Sequence, residues 1–314
     1  MCNKIKQPQK TGPTAGYWAT APIVALLTLV CCARQRQGLV VCMGEGVRVS
    51  VLATSRAGFK APDGIAWHGG RVVLADEAGR EIVAWQVGKG ARTLTAASAT
   101  LRSPEDVVVD EDGTIFFTDD DVGGLWRIGR HGELSRVAGP EEGLLSTEGV
   151  VIEPGGDLLV GDGERHTIFR VTRAGEVSVF LGPQAGIDKP ESLAFDPEGN
   201  LYIADNRQNR VYRLDKKQCL TRLLTERDGL THPESLCWQD GALYITDDEA
   251  GKFYRYTPGE GLQILAVFAG ALKNLQGIAP GPAGSLLVTV QDLKKQLGLL
   301  LEIVPATEDS LAFK

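Results

Sequence analysis

Five acids and one glutamine recur along this chain at almost constant spacing: Asp63, Glu105, Glu148, Glu191, Glu234 and Gln276, separated by 42, 43, 43, 43 and 42 residues. A second acidic series, Asp76, Asp119, Asp162, Asp205 and Asp247, keeps the same rhythm, with Glu77, Asp120, Asp121, Asn206, Asp248 and Glu249 beside it. Carboxylates drawn together at a poorly solvated opening repel one another, so either their pKa values rise or a cation sits among them. A wide, oxygen-only ligand set suits Ca²⁺ first and Mg²⁺ second, and the lack of clustered His and Cys argues against zinc. The candidate metal ligands are therefore Asp63, Glu105, Glu148, Glu191, Glu234, Asp205 and Asn206. His232, two residues ahead of Glu234 in the segment LTHPES, is the one histidine placed near these acids, where its pKa should rise. His232, Glu234 and Glu191 are the candidate catalytic groups, with His232 as general acid or base. His68, His131 and His166 fall in turns or at strand starts and read as surface residues.

A second reading stands beside the chemical one. An Asp that closes a strand commonly accepts N–H bonds from nearby backbone, so the Asp76 series is expected to be scaffolding. A Glu that opens an inner strand can likewise bond the neighbouring backbone. Gln276 interrupts the acidic series, which hints at an asymmetric mouth of the kind a substrate site needs.

The elements that must position these residues are legible from the repeat itself. Segments such as SPEDVVVDEDGTIFFTDDDVGGLWRI and KPESLAFDPEGNLYIADNRQNRVYRL align without gaps of consequence. Each holds a short apolar run, a Gly-containing turn, a second run ending in Asp, a polar turn and a third alternating run, the pattern of antiparallel strands joined by tight turns. A fourth strand fits at segments such as GEVSVFL and QCLTRLL. Four strands per period of about 43 residues is the signature of a propeller blade. The fold class is therefore all-β, a six-bladed β-propeller of four-stranded antiparallel blades. The sixth unit ends at LLLEIVP without a fourth strand, so VRVSVLA at 47–53 is expected to complete the last blade and close the ring. Both acidic series then converge on one mouth of the central channel. Trp67, Phe195 and Trp238 end inner strands and are expected to pack the core.

The pattern of Pro, acid, Gly, apolar run, Asp-x-x-Gly, apolar run, Ala-Asp-Asn, as in PESLAFDPEGNLYIADNRQNRVYRL, resembles an NHL repeat. It is similar to the wider superfamily of six-bladed propellers that includes gluconolactonase and senescence-marker lactonases, strictosidine-synthase-like proteins and streptogramin lyase. The resemblance covers residues 47 to about 305 and implies the fold. Its gluconolactonase branch implies a divalent metal that polarises a carbonyl and activates water to hydrolyse a lactone or related ester. That branch carries Glu-Gly-Pro-x-Trp early in the chain where this sequence reads APDGIAW, and of its ligating asparagines only Asn206 has a counterpart. The alternative is a non-catalytic NHL-type binding module for a protein, peptide or sugar.

The chain of 314 residues carries a net charge of -7, and without residues 1–46 the remainder stands at -11. An acidic body makes nucleic acid and anionic membranes poor partners and leaves small molecules or proteins at the channel face. Thirty-eight glycines and 15 prolines agree with many tight turns. The uncharged stretch 17–33, after Lys4, Lys6 and Lys10 and before Arg34 and Arg36, reads as a signal peptide or membrane anchor. Residues 1–46 are thus expected to be export signal or anchor and linker, and 306–314 a tail. The protein would be exported or anchored, or cytosolic if translation starts at Met43. Cys219 on an outer strand and Cys237 on an inner one are expected to remain unbridged. Oligomeric state has no sequence signal.

Overall fold

The computed structural model describes residues 40–43, 47–95, 100–295 and 297–305. The second apolar run of each repeat is buried on both faces, as in Ile115–Asp119, Leu158–Asp162 and Leu201–Asp205. A strand sandwiched between two neighbouring sheets must be apolar throughout, which explains why these runs lack the alternation of a half-buried strand. The strands assemble into six antiparallel sheets. Their inner strands are Pro62–His68, Pro104–Val109, Thr147–Ile152, Pro190–Phe195, Pro233–Gln239 and Leu275–Pro280, for blades 1 to 6 in turn. Each inner strand lies against the next, and the sixth against the first.

Blade 6 is completed by Arg48–Thr54, paired antiparallel with Leu297–Val304 from Arg48 opposite Val304 to Thr54 opposite Leu299. The expected closure by the N-terminal strand is therefore present. One strand was not foreseen: Val40–Met43 pairs with the outer strand Gly261–Ala269 and gives blade 5 a fifth strand. The apolar stretch 17–33, with its expected export or anchoring role, and the expected tail 306–314 lie outside the described residues.

The core is divided among the seams between blades. Ile65, Leu74 and Val83 of blade 1 pack with Leu287 and Leu300 of blade 6 and with Phe59. Tyr202 of blade 4 packs with Leu243 and Ile245 of blade 5. Cys237 is buried in the seam between blades 5 and 6, and burial pushes its thiol up to about 12. Near the axis the seams become polar and very close. A Cβ on Gly64 would lie 2.5 Å from Glu105 O, and one on Gly149 2.5 Å from Glu191 O, so only glycine lets these inner strands approach. Blades 2, 4 and 5 carry Asp106, Ser192 and Ser235 at the same register. There the side chain itself latches the next blade, accepting from Val150 N, Leu236 N and Ile278 N at 2.9, 3.1 and 3.1 Å.

Candidate functional site

Strand pairing fixes three rings of side chains at one mouth of the channel. Pro62 pairs with Asp76, Pro104 with Asp119, Thr147 with Asp162, Pro190 with Asp205 and Pro233 with Asp247, while Leu275 of blade 6 pairs with Val290. In blades 1 to 5 the first residue of the inner strand thus lies beside the last of the second strand, and the two acidic series share one rim. One ring consists of Asp63, Glu105, Glu148, Glu191, Glu234 and Gln276. A second, two residues earlier in each blade, is Ala61, Ser103, Ser146, Lys189, His232 and Asn274. A third, one residue beyond the partner of each inner strand's first residue, is Glu77, Asp120, Gly163, Asn206, Asp248 and Gln291.

The first ring is held from behind by threonines on the second strands. Thr118 Oγ1 donates to Glu148 O, Thr246 Oγ1 to Gln276 O at 2.7 Å, and Thr289 Oγ1 to Asp63 O across the seam that closes the propeller. The Asp76 series does the scaffolding work expected of it. Asp76 accepts from Lys60 N and Ala61 N at 2.7 and 2.8 Å, and Asp119 from Arg102 N and Ser103 N at 2.8 and 3.0 Å. Asp205 accepts from the N–H groups of Asp188, Lys189 and Gln208. Asp205 is not among the residues lining the cavity, and its carboxylate is occupied by those three backbone donors.

The remaining candidates meet. Asp63, Glu105, Glu191, Asn206, His232 and Glu234 line one cavity of about 550 Å³, joined by Glu77, Asp248, Gln276 and Gln291, with Lys273, Lys294 and Lys295 at its rim. Glu148 is fully buried just outside that lining and reaches the site through Lys189. The Lys189 ammonium lies 2.9 Å from Glu191 Oε2 and 3.3 Å from Glu148 Oε2. This lysine was missed by sequence reading, and it already supplies a cation to the Glu105, Glu148 and Glu191 side of the ring. Burial opposes its charge, but Glu191 and Glu148 outweigh burial and hold the ammonium above the ordinary lysine range.

On the other side, among the described residues, Asp63, Glu77 and Glu105 form no ion pair comparable to that of Lys189. Ligand oxygens of Asp63, Glu77 and Glu105 lie within 4.8 Å of one another. Gln291 Nε2 donates to Asp63 Oδ2 at 2.8 Å, while Gln291 Oε1 is buried without a hydrogen-bond partner. Burial raises Asp63 well above the usual carboxylate range, and Glu234 and Glu77 add to it. Glu105 is raised well above its usual value by burial and then by Asp63 and Glu191. Burial also raises Glu77, against a 3.2 Å hydrogen bond donated by Ser103 Oγ. Glu148 is pushed up to about 7 by burial, with Lys189 opposing. Glu191 is raised well above its usual value by burial and by Glu234, although Lys189 pulls the other way. Burial is the leading cause of each of these upward shifts.

His232 is built as a cation. Its Nδ1 lies 2.7 Å from Asp248 Oδ1 and 3.3 Å from Glu234 Oε2, and those two hydrogen bonds push its pKa up to about 10 against the cost of burial. At neutral pH it is an imidazolium, with Nε2–H as the donor left for a ligand. Asn206 Nδ2 bridges Glu191 Oε2 and Glu234 Oε2 at 2.5 and 3.4 Å, fixing the two acids side by side. His232, Glu234 and Asp248 form a further group whose ligand atoms lie within 4.8 Å. Lys189 and His232 occupy the same ring position in adjacent blades, so the mouth is cationic on one flank and acidic on the other.

No family model matches this chain, and no curated protein matches it. Among solved structures, a gluconolactonase from Xanthomonas campestris is 16% identical with a TM-score of 0.65, covering 84% of this chain and 91% of that one. An inactive virginiamycin B lyase from Staphylococcus aureus is 14% identical with a TM-score of 0.61, covering 82% and 99%. A chain of a nidogen/laminin complex is 22% identical with a TM-score of 0.61, covering 70% and 84%. At such identities the likeness concerns architecture alone: the chain is a six-bladed β-propeller of the form shared by gluconolactonase, virginiamycin B lyase and the nidogen/laminin propeller.

Proposed function

We propose that this propeller is a divalent-cation-dependent hydrolase of a lactone or related ester, with the cation held by Asp63, Glu77 and Glu105. The observation that carries the reading is the donor set: three crowded carboxylates beside a buried amide oxygen, Gln291 Oε1, that lacks a partner. All four are hard oxygen donors, which suit Ca²⁺ before Mg²⁺. A bound cation there supplies Lewis-acid polarisation of a carbonyl and a more acidic water. The chain's own residues do the rest. His232 presents Nε2–H as a fixed positive donor for oxygen that gains negative charge. Asp248 holds that ring in place, and Asn206 keeps Glu191 and Glu234 oriented toward the cavity. Rim lysines Lys273, Lys294 and Lys295 favour a carboxylate product over its neutral precursor.

The test pairs thermal melting with turnover. Calcium should raise the melting temperature by several degrees and chelator should reverse it. Chelator should also abolish hydrolysis of a lactone or aryl ester, and Asp63→Asn should remove both effects. A chain that neither responds to cation nor hydrolyses such substrates would refute the reading and leave a binding module on the same face.

A further inference from the structure

The channel has a second chamber whose chemistry is the reverse of the first. The C-terminal halves of the inner strands line a cavity of about 330 Å³ at the opposite mouth. Its walls include Trp67, Val109, Ile152, Phe195, Trp238 and Pro280, one from each blade. Trp67, Phe195 and Trp238 were expected to be core residues, and they do back onto seams between blades. Yet each stays half-buried, with part of its ring turned to the channel. Among the described residues, no Lys, Arg or His lines this chamber. The two chambers meet at a waist of about 20 Å³ bordered by Asp63, Glu105, Asp106, Glu191 and Glu234. Asp106 borders both the waist and the apolar chamber. Its oxygens accept from Val107 N at 2.8 Å and Val150 N at 2.9 Å, and each retains a further lone-pair direction.

We propose that this chamber binds an organic ammonium carried on an apolar or aromatic body, with the body among Trp67, Phe195 and Trp238 and the ammonium at Asp106. Apolar walls alone would accept any neutral hydrocarbon of fitting size, but the floor is the Asp106 carboxylate. An anion is repelled there, and a small hydrated metal ion gains nothing from the walls. A cation on an apolar stem complements both, and indole faces add attraction for it. The waist admits a group the size of water and stops a larger body, so the charged end leads. The walls of this chamber are separate from the acidic mouth, and only the waist between them is shared, through Asp63, Glu105, Glu191 and Glu234.

The test titrates the full chain at pH 8 with 2-phenylethylammonium and with its neutral analogue 2-phenylethanol, followed by calorimetry and tryptophan fluorescence. The ammonium should bind at least tenfold more tightly and perturb tryptophan emission. Asp106→Asn keeps an oxygen for Val150 N–H and should erase the preference for charge. Trp238→Phe should weaken both probes. Competition with ethylammonium, which lacks the apolar body, should be poor. Equal binding of the two probes, binding of neither, or a charge preference that survives Asp106→Asn would overturn the proposal.

Discussion

Replacing Lys189 with methionine isolates the role of the built-in cation. The ammonium sits 2.9 and 3.3 Å from oxygens of Glu191 and Glu148, whose side chains are 5% and 0% exposed, and its own side chain is 24% exposed. Removing one partner of a buried ion pair costs about 3 to 5 kcal/mol when the other stays charged. The partly open lysine places this site near about 3 kcal/mol, or about 6 to 12 °C of melting temperature for a domain of this size. Glu148 already stands at about 7, above the value of an unfolded glutamate. A carboxyl raised in the folded state favours folding below its unfolded pKa and weakens it as pH rises through the folded value. Lys189→Met raises that folded value further, so the destabilisation should be small at pH 5 and full at pH 8. The freed Glu105, Glu148 and Glu191 oxygens lie within 4.8 Å of one another, so the variant should take up one calcium more than the native chain. Melting in chelator at both pH values and calcium calorimetry read these effects. Unchanged melting at pH 8 with an unchanged calcium count would refute the assignment of Lys189 as a resident counter-cation.

Asp76→Ala strands the N–H groups of Lys60 and Ala61 and should cost at least about 2 kcal/mol in chemical denaturation; a loss under about 0.5 kcal/mol would contradict its scaffolding role. The His232 imidazole should titrate near 10 by NMR. Since its folded pKa exceeds the unfolded 6.5, the stability it adds is complete below 6.5 and fades as pH rises through 10, so His232→Asn should be destabilising at pH 6 and nearly neutral above pH 10. Thr289→Val removes the donor that joins blade 6 to Asp63 and should cost about 1 kcal/mol by thermal melting, with a weakened calcium response because Asp63 loses its backing.

The fold was legible because a repeat writes the same instructions six times: Asp63 and its counterparts mark strand starts, the Asp76 series marks strand ends, and VRVSVLA was the one strand left for the sixth blade. The site was legible only in part for the same reason. Lys189 opens its segment as KPES where the next repeat reads HPES, and a repeat alignment dwells on what recurs rather than on what appears once. Its position two residues before the anchor acid could have marked it as part of a ring with His232. Gln291 was hidden by drift within the last repeat, where Val290 replaces the strand-end Asp, so the amide beyond it was not aligned with Glu77 and Asp248. Asp205 recurs as regularly as the anchor acids, and the sequence does not show that its carboxylate is engaged by the N–H groups of Asp188, Lys189 and Gln208. Asp106 escaped because latching roles at the same register are filled elsewhere by Ser192 and Ser235, residues without charge.

The central claim is that the acidic flank, and not the lysine-neutralised one, holds a divalent cation. Crystals grown with Mn²⁺ as a probe for the oxygen site, with diffraction recorded at its absorption edge, test this most directly. The account predicts one anomalous peak among Asp63, Glu77 and Glu105 beside Gln291. A peak between Glu148 and Glu191, or none at the channel mouth, would contradict it.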